Sequence, residues 1–263
     1  MGAFLSRLTA LQILLVSVAL AQRPAAPEET PGAPPAHYRD PRAAAETLTR
    51  LVTQEPDRAE WRWRLAMALV DAGKVLPDRQ RPERDSLYAR AVAAAREAIR
   101  LAPDGAQGHF ALAAALGRAT LTRGIRDRIR DAEAIRTAAL RALELDPGHD
   151  GAWHVLGRWH AEIMRLSGLE RFIARRILGG GILGEASWDQ AVHGLDQAVA
   201  LRPDWIYHRL DLAEVLIKAG RPEAARPHLE AIAGLAPVDP LDPEYRATAA
   251  ELLRKLRGGS REP

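Results

Sequence analysis

The residues of this chain with the most chemical potential are three closely spaced histidines and a run of glycines. His149, His154 and His160 lie beside Asp150 and Glu162. A zinc-binding helix carries two histidines four residues apart, so that both face one way. His154 and His160 are six apart, which sends them to different sides of a helix. The pattern predicts packed histidines and no metal centre. Gly179-Gly180-Gly181-Ile182-Leu183-Gly184 spells the GxGxxG of dinucleotide-binding turns. Such a turn works only between a strand and a helix, where its backbone meets the pyrophosphate. Here an Arg-rich amphipathic stretch precedes it, and no nucleotide site is read. HExxH, GxSxG and P-loop patterns are absent, and the carboxylates are scattered over polar faces. With no Cys, thiolate metal sites, Cys nucleophiles and disulfides are excluded. The expectation is a protein with no catalysis, no cofactor and no metal.

The elements that position these residues read as helices. Leu, Ala, Arg and Glu dominate and β-branched runs are scarce, which points to an all-α chain. The formal net charge of +3 is spread along helix faces, without a basic cluster interleaved with aromatics. No nucleic-acid partner is expected. Apolar segments end repeatedly on a proline: Glu55-Pro56, Leu101-Ala102-Pro103, Leu145-Asp146-Pro147, Leu201-Arg202-Pro203 and Leu235-Ala236-Pro237. Proline stops a helix because it has no N–H and its ring clashes backward. The step from Pro203 to Pro237 matches the ~34-residue period of tetratricopeptide repeats, and the earlier steps are longer.

The repeat pattern W-x2-L-G-x2-Y…A-x3-F…P lies on four units. The third fits best, with Trp153, Leu156, Gly157 and His160, then Ala191, Leu195, Ala198 and Pro203. The others carry Leu65, Ala66 and Gly73; Leu112, Ala113 and Ala139; and Leu212, Ala213, Gly220 and Ala225. Small residues let the two helices of a hairpin approach, and larger apolar ones fill the space between hairpins. The fold read here is a tetratricopeptide-like α-solenoid of about four helical hairpins, with a helix inserted in the third and a C-terminal capping helix. A first helix is predicted over Arg42–Thr53, with Pro41 in its opening turn. The cap is predicted over Pro243–Leu256, with Arg246, Glu251, Arg254 and Lys255 on its outer face.

Residues 1–21 have the three parts of a secretory signal: Arg7, an apolar run from Leu8 to Leu20, and the small-x-small site Ala19-Leu20-Ala21. The run is short for a membrane span. Residues 22–40 form a Pro/Ala-rich linker that cannot build a core. Residues 41–257 form the repeat domain and 258–263 a tail. Export to the periplasm or medium after cleavage near Ala21 is expected, with anchoring to the inner membrane by an uncleaved segment as the alternative.

The insertion in the third unit contains an amphipathic helix over Leu169–Leu178. Leu169, Phe172, Ile173 and Ile177 make its apolar stripe, opposite Glu170, Arg171, Arg175 and Arg176. It packs on the solenoid, closes as a lid hinged at the glycines, or meets a membrane surface weakly. Ser187 is placed to cap the helix that follows.

Within this third unit the residues GAWHVLGRW (151–159), LSGLER (166–171), Glu185-Ala186-Ser187 and Ala191-Val192 resemble the regulator of microtubule dynamics family. The resemblance covers roughly Arg42 to Leu256. It implies an α-helical repeat protein without catalysis. Animal members are linked to microtubules, and one to lipid binding and organelle contacts. The Asn-free, Ala/Arg-rich composition and secretory-type start point to a bacterial member, where a tubulin role is not expected.

In tetratricopeptide stacks the first helix of each hairpin lines the concave face. Carried onto this chain, the face-lining positions give Trp63, Met67 and Asp71; Gln107, Phe110 and Arg118; His154, Arg158 and Glu162; and Tyr207, Leu210, Glu214 and Lys218. The carboxylate clamp of chaperone-binding repeats needs Asn, which is lacking. The function read from these residues is a non-enzymatic scaffold for a protein or peptide partner. The alternative is a lipid or small apolar ligand under the inserted helix.

Overall fold

A computed structural model describes residues 40–120, 125–168, 170, 172 and 181–259. The segments read as signal and most of the linker lie outside these residues. So do Leu169, Ile173 and Ile177 of the inserted helix. Among the described residues there is no strand. The helices are α1 (Pro41–Gln54), α2 (Ala59–Lys74), α3 (Arg81–Leu101), α4 (Ala106–Thr120), α5 (Ile125–Leu145), α6 (Asp150–Arg165), α7 (Trp188–Leu201), α8 (Ile206–Lys218), α9 (Pro222–Ile232) and α10 (Asp242–Gly259). Short 3-10 turns cover Asp78–Gln80 and Gly181–Glu185. None of the described helices is long and apolar enough to cross a membrane.

The pairs α2/α3, α4/α5, α6/α7 and α8/α9 pack as hairpins, and the first helices α2, α4, α6 and α8 touch in sequence. Helix α1 covers α2, and α10 packs on α9 and α8. The sequence stop signals act as expected at most ends. Asp40 caps α1 through the Ala43 N–H at 3.0 Å, with Pro41 as the first helical residue. Helices α3, α5 and α7 end at Leu101, Leu145 and Leu201. Ser187 accepts the Gln190 N–H at 3.1 Å and caps α7. The longer early spacings come from α3 and α5, each 21 residues long.

Three details differ from expectation. Helix α9 stops at Ile232, ahead of Leu235, because the chain turns at Ala233 and Gly234 before the proline is reached. Helix α10 runs to Gly259, so Gly258 and Gly259 belong to the helix and not to the tail. Arg246 turns inward and donates to the Leu235 carbonyl; Glu251 and Lys255 stay outside, 2.7 Å apart.

The small residues of the repeat pattern are sealed in: Ala66, Ala91, Ala139, Ala191, Ala213 and Ala225 have no exposed surface. Backbone meets backbone most closely where α6 joins α7. A Cβ on Gly157 would lie 2.8 Å from the Leu195 backbone nitrogen, and one on Gly194 would lie 2.8 Å from the Gly157 nitrogen. A side chain at either position forces the helices apart. Gly157→Ala is expected to cost about 1–3 kcal/mol in chemical denaturation. Gly117→Ala is the control: a Cβ there meets nothing within 4 Å, so it should be neutral or slightly stabilising.

Candidate binding cavity on the concave face

Helices α2, α4, α6 and α8 line one side of the stack, and the stack curls until its ends meet. Lys74, at the end of α2, lies 2.9 Å from Asp239 in the α9–α10 loop and 3.2 Å from Asp71. These three side chains are almost completely buried. Burial alone would pull the Lys74 proton off, but Asp71, Tyr245 and Asp239 outweigh it and hold the ammonium above its ordinary range. The contact turns an open groove into a cavity of about 430 Å³.

The walls are largely apolar, with Trp63, Met67, Phe110, Val155, Trp159 and Leu183 facing the space. Ten of the thirteen residues assigned to the concave face from the repeat pattern meet there: Trp63, Met67, Asp71, Gln107, Phe110, Arg118, His154, Arg158, Glu162 and Tyr207; Leu210 is buried in the core instead. Glu214 sits behind this wall, 4.0 Å from Arg158 and 3.8 Å from Arg165. Lys218 does not join them. It is exposed at the last position of α8, a turn beyond Glu214 and past the rim. Of the inserted helix, Phe172 is 57% exposed and does not enter the core. The cavity flank there is made by Leu166 and Leu183, which bracket the insertion.

Arg118 is one of the cations that line the cavity, with Lys74, Arg158 and Arg202. It is half-buried, and its hydrogen-bond partner among the described residues is the Tyr207 hydroxyl at 3.0 Å. Tyr207 stacks on Tyr245 at 5.3 Å between ring centres, and Lys74 lies 5.5 Å from the Tyr207 ring. The next layer is ionic. Arg158 lies 3.2 Å from Asp211 and donates to Glu162 at 2.6 Å. Although burial works the other way, Arg158 and His154 keep the Asp211 carboxyl far below the usual range.

The three histidines of α6 and its N-cap do three different things. His149 accepts the Ala152 N–H through Nδ1 at 3.2 Å and so caps α6, leaving Nε2 to donate to Gln107 at 3.2 Å. His160 is buried edge-on against Trp159, and burial drives it down to about 4. His154 faces His208 on α8, Nδ1 to Nδ1, at 2.9 Å. The expected separation of His154 from His160 holds, but their spacing could not reveal a partner from the next repeat. Lys74, Asp150, His208, Asp211 and Asp239 were missed for this reason. Each sits among other polar residues of its own helix or loop, and even Asp150, noted beside the histidines, carries no sign of its partner on α8.

The architecture agrees with what comparison of the chain finds. A sequence model of the family "Regulator of microtubule dynamics protein 1-3" matches residues 36–257. The chain belongs to this family. Regulator of microtubule dynamics protein 3 of Xenopus laevis is 30% identical over 115 residues, a stretch that is 44% of this chain and 24% of the frog protein. Among solved structures, TTC0263, a thermophilic TPR protein of Thermus thermophilus, superposes with a TM-score of 0.52 at 21% identity, covering 81% of this chain and 91% of that one. A MamA crystal structure reaches 0.43 at 15% identity, over 84% and 92% of the two chains. The Thermus likeness shows the fold alone.

In this regulator of microtubule dynamics family member the GAWHVLGRW run is a structural knot. Trp153 donates to the Pro147 carbonyl at 2.9 Å and Trp159 to the Ala132 carbonyl on α5 at 2.7 Å. Gly157 meets α7, while His154 and Arg158 reach α8. One helix thus bonds to the hairpin before it, its own partner and the hairpin after it.

Proposed function

We propose that this chain is a non-enzymatic helical-repeat scaffold that holds a segment of a protein partner in its concave cavity. The observation that carries this reading is the cavity itself: apolar walls around an accessible Arg118 guanidinium whose bound partner is a neutral hydroxyl. Such a space suits apolar side chains next to an acidic group, since a buried guanidinium gains most from a charged acceptor. The family and the tetratricopeptide-like fold support an interaction role. The scaffold works in the cell envelope, reached by export with cleavage near Ala21.

Photo-crosslinking in the native host tests this, with benzoylphenylalanine in place of Trp63. A discrete protein adduct is expected, weakened at least tenfold by Arg118→Glu. N-terminal sequencing of the recovered protein should begin at Gln22. A failure to crosslink any protein, in a variant that keeps its helical circular dichroism, sinks the scaffold reading. The second reading, a lipid or small apolar ligand under the inserted segment, rests on the exposed Phe172. Native mass spectrometry decides it: a co-purifying lipid lost on Phe172→Asp would favour it.

A further inference from the structure

The wall of the cavity contains a chain of four side chains that the binding reading does not use. His154 on α6 and His208 on α8 face each other through Nδ1 atoms 2.9 Å apart. Both are buried, at 5% and 4% exposure. Their other nitrogens look at carboxylates: His208 Nε2 is 3.0 Å from Asp150, and His154 Nε2 is 3.0 Å from Asp211. Asp150 accepts a hydrogen from His208 Nε2, and Asp211, which lies beside His154 Nε2 without hydrogen-bond geometry, favours a hydrogen there through its charge, so both Nε2 atoms carry hydrogen. Between the Nδ1 atoms two lone pairs repel, and two N–H groups collide. One hydrogen satisfies both. Two imidazoles that hold three hydrogens are one neutral ring and one imidazolium. A tetrahedral metal does not fit the gap, because ligand nitrogens at ~2.1 Å from it would stand about 3.4 Å apart.

We propose that His154 and His208 share a single proton that latches the third hairpin to the fourth, and that a second proton releases this latch and opens the cavity wall in acid. The second proton comes from solvent and lands on the Nδ1 lone pair of His154 that had accepted the shared hydrogen. The 2.9 Å contact then becomes two N–H groups and two positive rings facing each other. The surrounding charges favour one proton and oppose two. On α6 these are Asp150 and Arg158, and on α8 Tyr207 and Asp211. Arg202 lies at the end of α7, and Arg118 reaches in from α4 to Tyr207. The Tyr207 ring covers His154 at 4.5 Å, and Trp205 lies 6.3 Å from the His208 ring. Burial, with His208 and Arg158 adding to it, pushes His154 down to about 4. The latch acts on the cavity wall whatever occupies the cavity, so it stands apart from the partner reading.

The test is long-range 1H–15N spectroscopy of the imidazoles in 15N-labelled full chain. At pH 7 His208 should carry hydrogen on both nitrogens and His154 on Nε2 alone. The absence of Cys allows nitroxide labels at Ser167→Cys and Lys218→Cys, both exposed positions. Their separation should lengthen as His154 gains its second hydrogen on acidification. Two singly protonated rings at pH 7 would overturn the proposal, as would proton uptake by His154 with no change in label separation. His208→Gln should raise the pH of His154 uptake by about one unit, by removing the neighbouring charge. If that variant does not fold, Asp150→Asn serves instead. It removes the carboxylate that accepts the His208 Nε2 hydrogen, so the three-hydrogen pattern of the pair at pH 7 should be lost. Spectra unchanged by Asp150→Asn would equally refute the shared proton.

Discussion

Lys74→Ala is expected to destabilise the folded chain by about 3–5 kcal/mol, the usual cost of removing one partner from a buried ion cluster. The size follows from what remains. Asp71 and Asp239 are both buried, and their carboxylates would be left without the ammonium that lies 3.2 and 2.9 Å away. The contact also spans 165 residues and brings α2 against the loop before α10, so its loss should open the cavity. Equilibrium urea unfolding and hydrogen exchange of residues 237–242 measure both effects. Replacing all three groups together, with Lys74→Met, Asp71→Asn and Asp239→Asn, should restore most of the stability, because no uncompensated charge stays buried. A Lys74→Ala cost below about 1 kcal/mol, the level of an exposed pair, would show that the stack closes by other means.

Stability should also fall as pH drops from 6.5 towards 4, by an amount on the order of 2–3 kcal/mol from His154 alone. The sign follows from His154. Its ordinary value is 6.5 and its folded value about 4, because burial opposes the charge. Between these values the unfolded chain holds a proton that the native chain lacks. Stability from this group therefore rises with pH across that window. His160, also driven to about 4 by burial, acts in the same direction. Asp211 behaves differently: its carboxyl is depressed, so its contribution is full above the ordinary carboxylate range and is lost only at lower pH. Urea midpoints measured at pH 7, 6 and 5 should decline stepwise, and His160→Phe should remove part of the slope. Level midpoints across these values would contradict the assignment.

Much of this molecule was legible in local pattern. The prolines after Leu101, Leu145 and Leu201 end their helices because a missing N–H acts wherever the chain goes. Asp40 and Ser187 cap helices through atoms three residues away. The alanines at repeat positions are buried because a hairpin leaves no room for more. The repeat register even gathered Trp63, Phe110, Arg118, His154, Arg158, Glu162 and Tyr207 on one wall, since a fixed period fixes a face.

What the register could not carry is curvature. Small rotations between successive hairpins accumulate, and their sum decides whether the first unit meets the last. That sum sets Lys74 against Asp239 and leaves Lys218 outside. The same is true of the histidines: 54 residues separate His154 from His208, and no spacing rule links them. The sequence by itself determined the helices, their order and the face they share, because these depend on atoms a few residues apart. Only the tertiary structure decided that the face closes into a cavity and which buried charges find partners, because both depend on how four hairpins add up in space.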